Sequence, residues 1–337
     1  MICLGIESTA HTFAVGIVED ENTGIKILAD VRRMYLPKTG QGIHPNEARE
    51  HHRAVKDEVL HEALEKAHCS LDDIDVIAYA KGPGLPPSLQ VGLEFTKQLA
   101  AQTNKPVIEV NHPIGHIEIG KVLCGAGNPL VLFVSGGNTQ VIAYTHGRYR
   151  IVGETQDVAI GNAIDMLMRS LGHGYPGGPI FEQLVATGKN YIELPYSVKG
   201  MDVSLSGIVT EAIKKTKKHK PEDVCFSFGE TAFAMLTEIT ERALAHTGKK
   251  ELLITGGVAA SKRLCTMLEI MCQERGAIFY HCPKAYTGDN GVMIAWSGLL
   301  AFQHGQHPVA QDAIDFQQRW RLDDVPVCWI EESCEVE

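Results

Sequence analysis

One short pattern occurs twice in this chain. Residues 2–18, ICLGIESTAHTFAVGIV, run as an apolar strand, a small polar turn and a second apolar strand, and residues 130–144, LVLFVSGGNTQVIAY, repeat that order. Each reads as a β-hairpin closed by a loop rich in Gly, Ser or Thr. Small side chains let an anion approach main-chain N–H groups, so such a loop can cradle a phosphate. A single loop of this kind is commonly just a turn. Two of them, each opening part of a 337-residue chain, point to an internal duplication around one nucleotide cleft.

The rest of the chain alternates helix and strand. Residues 46–67 carry Val55, Val59, Leu60, Ala63 and Leu64 at helical spacing. IDVIAYA reads as a strand, LQVGLEFTKQLAAQ as a helix and KPVIEV as a strand. After the second hairpin come a strand over 148–153, a mainly helical stretch over about 158–246, and a strand over 251–255. A helix, the strand AIFYHCP and a helix from Gly291 follow. The expected fold is α/β, with halves at 1–129 and 130–325, a helical insertion at 158–246 in the second half, and a tail at 326–337. No low-complexity linker separates the halves, so they should pack directly with the cleft between them.

Composition removes several function classes. The nine cysteines contain no CxxC pair, which argues for reduced thiols and against a cysteine-held zinc. There is no apolar run of about 18 residues, so no membrane span is expected. The opening residues read at once as a strand, without a charged leader, and the expected location is cytoplasmic, or also nuclear in a eukaryote. A net charge of −10 does not suggest a nucleic-acid binder on its face. Any RNA contact then needs a local basic patch, such as Lys214 to Lys220, or a partner subunit. That lysine run is also readable as a solvated helix end.

Several residues can carry chemistry, and each has a plainer reading. In NHPIGHIEIG, His112 and His116 stand four apart, so on a first helical turn they point the same way and can share a metal ion. They can equally be surface or capping histidines. Asp289, in YTGDNGVMIA, is either a helix N-cap or a third ligand, in which case the set suits iron or zinc. The two glycines of LLITGGVAAS end a strand before a helix, where backbone can approach a base or ribose, or simply turn tightly. Asp157, Asp165 and Glu182 can accept from ribose hydroxyls or be solvated helix carboxylates. His44, His51 and His52 mix capping with substrate contact, and the sequence does not separate the two.

Taken together, GIESTAHT, GIHPNEAREHH, KGPGL, NHPIGHIE, VSGGNTQVIAY, GNAID, YPGGP, KGMDVSLSG, ETAFAML, LLITGGVAA, DNGVMIA and RWRLDDV resemble the universal tRNA threonylcarbamoyl-transferase family. They are most similar to its archaeal and eukaryotic branch, the catalytic subunit of the KEOPS complex, over residues 2 to about 330. The resemblance implies an actin-like, Hsp70-type fold of two duplicated halves. It implies transfer of threonylcarbamoyl from threonylcarbamoyl-adenylate to the adenosine 3′ of the anticodon, in tRNAs reading codons that begin with A, with release of AMP.

Carried over by motif, His112, His116 and Asp289 would bind one divalent metal ion per subunit, iron or zinc. Phe133, Val134, Ser135, Gly136, Gly137, Asp165, Gly178, Glu182 and Ser261 would line the adenylate pocket. No residue is assigned as general base. The implied partners are tRNA, a small kinase-like subunit and a small dimerising subunit.

Four positions depart from the family pattern. Phe133 stands where the branch usually carries a tyrosine, Ser261 where it carries asparagine, Asn46 where arginine is common, and Gln156 in place of leucine. Three rival functions follow from the same residues. A phosphotransferase of this fold generally places an aspartate where this chain has Glu7. A metallopeptidase needs a glutamate base, as in HExxH, that HPIGH lacks. A non-catalytic adenylate-binding scaffold of the same complex would tend to lose the metal ligands.

Overall fold

The structure, a computed structural model, describes residues 1–21, 24–38 and 41–330. The first half begins with strands β1 (Ile2–Glu7), β2 (Thr12–Glu21) and β3 (Gly24–Met34). Helix α1 (Pro45–Ala67), strand β4 (Val76–Gly82), helix α2 (Pro86–Thr103), strand β5 (Val107–Asn111) and helix α3 (His112–Cys124) follow. The five strands form one sheet in the order β3-β2-β1-β4-β5. β1 runs antiparallel to β2 and parallel to β4.

The second half repeats this plan with β6 (Leu130–Val134), β7 (Thr139–Thr145) and β8 (Arg148–Glu154). Then come α4 (Ile160–Ser170), α5 (Gly178–Thr187), a two-stranded ribbon of β9 (Val198–Lys199) and β10 (Asp202–Val203), α6 (Ser206–Lys215) and α7 (Pro221–Thr247). The half closes with β11 (Glu251–Thr255), α8 (Lys262–Arg275), β12 (Ile278–His281), the short α9 (Lys284–Thr287) and α10 (Gly291–Gln303). Its sheet has the order β12-β11-β6-β7-β8, the same topology strand for strand. β6 is antiparallel to β7 and parallel to β11, as β1 is to β2 and β4.

The third strand of the first half, β3, had no counterpart in the sequence reading. It is an edge strand whose residues are mostly half-buried, and Lys26, Asp30, Arg32 and Arg33 break its apolar alternation. The stretch 158–246 is mainly helical, with the ribbon set inside it. Of the tail, Val327 donates its backbone N–H to Gly147 and Trp329 packs on the second half, while residues 331–337 lie outside the described residues.

The two sheets divide cleanly along the chain, but the helices do not. α10 packs against β1, β2 and β4 of the first sheet, where Val292, Ile294, Ala295 and Leu299 share a core with Cys3, Ala78 and Ile108. α3 instead places Ile114 and Ile117 among Val131, Phe133 and Leu253 of the second sheet. α3 and α10 also pack on each other, so the two sheets are joined through this pair.

The approach of α10 is backbone to backbone. A Cβ built on Gly291 would lie 2.0 Å from the amide nitrogen of Gly16, and one on Gly5 2.1 Å from that of Ala295. Only glycine permits such contact. Seating α10 this closely fixes the turn before it, and that turn carries Asp289.

Candidate active site

The plainer readings of the histidine pair and of Asp289 fail on capping. Asn111, not a histidine, caps α3, its Oδ1 accepting from the Ile114 amide at 3.4 Å. Asn290 caps α10, accepting from Met293 at 2.8 Å. His112 and His116 are therefore free to project from the first turns of α3, with ring centroids 4.8 Å apart and nearly perpendicular at 82°. Asp289 Oδ1 lies 3.5 Å from His112 Nε2 and 3.3 Å from His116 Nε2. The ligand atoms of all three fall within 4.8 Å of one another.

Two nitrogens and one carboxylate oxygen fit a borderline divalent ion such as zinc or iron. Donors about 2.1 Å from one tetrahedral ion sit about 3.4 Å apart, and the two edges from Asp289 Oδ1 match that spacing. The imidazole atoms behind the centre fit as well. His112 Nδ1 is 2.8 Å from Glu7 Oε2, so Nδ1 holds a proton toward that carboxylate and Nε2 is the nitrogen directed at the centre, where a metal would take the place of any proton on it. Phe133 is buried against the ring of His116, centroids 5.2 Å apart, and supplies no oxygen. His116 Nδ1 is buried and has no hydrogen-bond partner among the described residues.

Charge is concentrated here. Burial works to lower the His112 pKa, but the charge and hydrogen bond of Glu7 outweigh it and raise the value to about 9. Burial dominates at His116 and lowers it. Burial alone would raise Asp289, yet the His116 hydrogen bond and the His112 charge hold its carboxyl well below the usual range.

His112 and Asp289 line one wall of a cleft of about 1680 Å³ between the halves, and His116 is fully buried behind them. The volume exceeds the 300–1,000 Å³ usual for a single small ligand, so there is room for a nucleotide and a second group. The floor is the loop Ser135, Gly136 and Gly137. It rests on the start of α4, where a Cβ at Gly161 would lie 2.6 Å from the Ser135 carbonyl. Gly136, Gly137, Gly178 and Gly257 have nothing within 4 Å of a built Cβ and leave open backbone beside the cavity.

Asp165 lines the same cleft and accepts from the Gly177 amide at 2.8 Å, tying the 175–178 turn to α4, and burial raises its pKa. Glu182 and Ser261 are also at the wall, Ser261 while capping α8.

Residues 26–296 match the TsaD family, described as tRNA N6-adenosine threonylcarbamoyltransferase. The chain belongs to this family. It is accordingly a transferase that modifies tRNA. A relative of that name from Thermococcus kodakarensis is 50% identical over 331 residues, covering 98% of this chain and all of the relative. Among solved structures, HypF of T. kodakarensis aligns with a TM-score of 0.62 at 14% identity, over 88% of this chain and 47% of that one. The activator of 2-hydroxyisocaproyl-CoA dehydratase from Clostridium difficile, with bound ADPNP, aligns at 0.53 and 12% identity, over 92% and 100%. At those identities the likeness is of fold, the actin-like α/β architecture.

Not every residue marked in the sequence reaches the cleft. Phe133 and Val134 are buried in β6 behind it. Asp157 is occupied elsewhere, accepting from the amides of Leu205 and Ser206 and from the Ser206 hydroxyl at the start of α6. Gly256 packs on β6, its φ of +94° turning the chain where a Cβ would meet the Val134 carbonyl at 2.3 Å. His52 is buried beside Phe13, and among residues 214–220 Lys214 and Lys215 pair with Glu211.

Conversely, His11, Arg32, Asn162, Tyr175, Phe226 and Arg263 line the cleft without having been singled out. They come from separate elements with no common spacing. Arg32 alone carried a signal, as a charged residue in the overlooked β3. Its guanidinium donates to the carbonyls of Asp289 at 3.3 Å and Ala285 at 2.9 Å, pinning the turn that carries Asp289.

Proposed function

We propose that this chain transfers the threonylcarbamoyl group of threonylcarbamoyl-adenylate to N6 of the adenosine 3′ of the anticodon, in tRNAs reading codons that begin with A. One observation carries the reading. His112 and Asp289 of the cluster and the open-backbone loop at Ser135–Gly137 face one cleft large enough for donor and acceptor together, with His116 behind them. In this reading Ser135, Gly136 and Gly137 present N–H groups to the phosphate, and Asp165, Gly178, Glu182 and Ser261 surround the nucleoside. Phe133 and Val134 position that loop from behind. One divalent ion, iron or zinc, would be held by His112, His116 and Asp289, and when bound it supplies Lewis acidity and a template for the donor's carbonyl or phosphate.

The remaining work falls to the chain. The donor is a mixed carbamic–phosphoric anhydride, so AMP leaves readily. The C–N bond to N6 forms, the bond from the carbonyl carbon to the phosphate oxygen breaks, AMP takes that electron pair, and the amine loses one proton. Loop N–H groups steady the negative charge passing to phosphate. The cleft walls hold the donor away from water, which would otherwise hydrolyse it. The acceptor lies in a single-stranded loop, so turning it outward costs little. The phosphotransferase alternative is disfavoured because Glu7 is committed to Thr9 and His112 and is turned away from the cavity.

The net charge of −10 makes a kinase-like and a small dimerising subunit plausible helpers in holding RNA. No helix among the described residues is long and apolar enough to cross a membrane, and the proposed location is the cytoplasm, or also the nucleus in a eukaryote. The test supplies threonine-labelled donor to the chain with both partners and unmodified tRNA, beside a tRNA mutated at the acceptor adenosine. Label in the first tRNA alone is expected. Label in neither, from an assembled complex, would favour the scaffold function instead.

A further inference from the structure

Glu7 ends β1, and at the matching place in the duplicated half β6 ends in Val134. The carboxylate is therefore not demanded by the hairpin, which closes the same way with an apolar residue. Glu7 is fully buried. Its Oε1 accepts from the Thr9 amide at 2.6 Å and the Thr9 hydroxyl at 2.5 Å, while Oε2 faces His112 Nδ1 at 2.8 Å. The Thr9 hydroxyl also lies 3.2 Å from that nitrogen. Among the described residues, no lysine or arginine pairs with Glu7, and His112 is its one ionic partner.

Glu7 and Asp289 are two largely buried carboxylates on either side of one imidazole, 2.8 Å and 3.5 Å from its nitrogens, and a single His112 charge balances only one of them. The imbalance disappears if a cation sits on the far nitrogen of the same ring. The geometry supplies that place, because His112 Nε2 points toward Asp289 Oδ1.

We propose that Glu7 is a positioning residue for the metal. Held from behind by Thr9, it keeps the proton of His112 on Nδ1, turns Nε2 into the donor, and returns negative charge to the bound cation through the ring. The inference rests on the metal reading above. His116 differs in kind, since its Nδ1 has no such acceptor and Phe133 packs beside its ring. The two histidines are thus unequal, His112 fixed in tautomer and orientation and His116 held by packing.

Glu7→Gln separates this role from simple packing. The amide is isosteric, but it cannot serve both sides. Its oxygen satisfies the two donors of Thr9, and its NH2 then faces His112 Nδ1, which must accept and leave the proton on Nε2, where it opposes metal binding. The measurement uses the full chain, with Zn2+ affinity from competition against a chromophoric chelator, the visible spectrum of the Co2+ form, and thermal melting of the metal-free protein. The expected result is a loss of roughly ten- to a hundred-fold in Zn2+ affinity and a changed Co2+ spectrum, with the metal-free melt close to wild type.

Thr9→Val, which removes the hydroxyl bond to Glu7 Oε1 but keeps the amide bond and the charge, should lose a few-fold. If Glu7→Gln does not melt cooperatively, Thr9→Val decides: unchanged affinity overturns the proposal and a measurable loss supports it. A folded Glu7→Gln that binds Zn2+ within threefold of wild type also overturns it. If the wild-type chain itself takes up neither ion, the metal reading fails first, and this inference falls with it.

Discussion

Replacing Gly291 by alanine should damage a site it does not touch. The added Cβ would lie 2.0 Å from the Gly16 nitrogen and 2.4 Å from the Val15 carbonyl carbon. Both are main-chain atoms, so no rotamer change relieves the overlap. Returning to ordinary contact requires α10 and β2 to part by about 1.5 Å. Overpacking of this kind costs about 1–3 kcal/mol, and the upper end is expected where backbone meets backbone.

Asp289 stands two residues before Gly291, and its Oδ1 is 3.3 Å from His116 Nε2. Metal–ligand distances tolerate only about 0.2 Å, so even part of the displacement should reduce Zn2+ affinity at least ~10-fold, or ~1.4 kcal/mol. Gly298→Ala is the control, because its Cβ would meet Ala78 Cβ at 2.3 Å on the same helix but two turns away from Asp289. Urea unfolding should show both variants destabilised, while chelator competition should show Zn2+ affinity falling only in Gly291→Ala. Equal losses in the two, or a destabilised Gly291→Ala with native affinity, would refute the claim that the seating of α10 sets Asp289.

Two further outcomes follow from buried groups. Phe133→Tyr adds a phenol beside the His116 ring and should raise Zn2+ affinity several-fold, while costing the metal-free protein about 1–3 kcal/mol for an unpaired buried hydroxyl. Unchanged affinity would show that the ring edge does not reach the ion. Burial holds His52 at a pKa of about 3, below its ordinary 6.5, so the unfolded chain binds the extra proton between those values. Its contribution is therefore present above pH 6.5 and is lost as pH falls toward 3, at about 1.4 kcal/mol per pH unit. Urea titrations at pH 6.5 and 4.5 should show His52→Leu losing roughly 2–3 kcal/mol less than wild type, and equal losses would refute the assignment.

The duplication was legible because two buried strands meeting at a polar loop leave a strong local pattern, and both hairpins occur where it lies. The histidine spacing was equally local. β3 escaped because an edge strand is wet on one side, and its charges hide the period. Asp157 and Asp165 looked alike in sequence, eight residues apart, and only the fold sends one to cap α6 and the other to the cleft. The glycine pair of LLITGGVAAS divided likewise, with Gly256 pressed on β6 and Gly257 facing the cavity. Exchange of α3 and α10 between the sheets left no sequence signal, since both helices are buried nearly all round and neither carries a single apolar stripe that would name its partner sheet.

Asp289 is tied to the first sheet through Arg32 and α10, while Ser135, Asp165 and Ser261 belong to the second. A donor bound as proposed is a strut across two bodies, each end raising the effective concentration of the other. Transfer cuts that strut. AMP would then lose every contact made through the transferred group, so the bond that breaks in the reaction would also end part of the avidity that held the nucleotide in place.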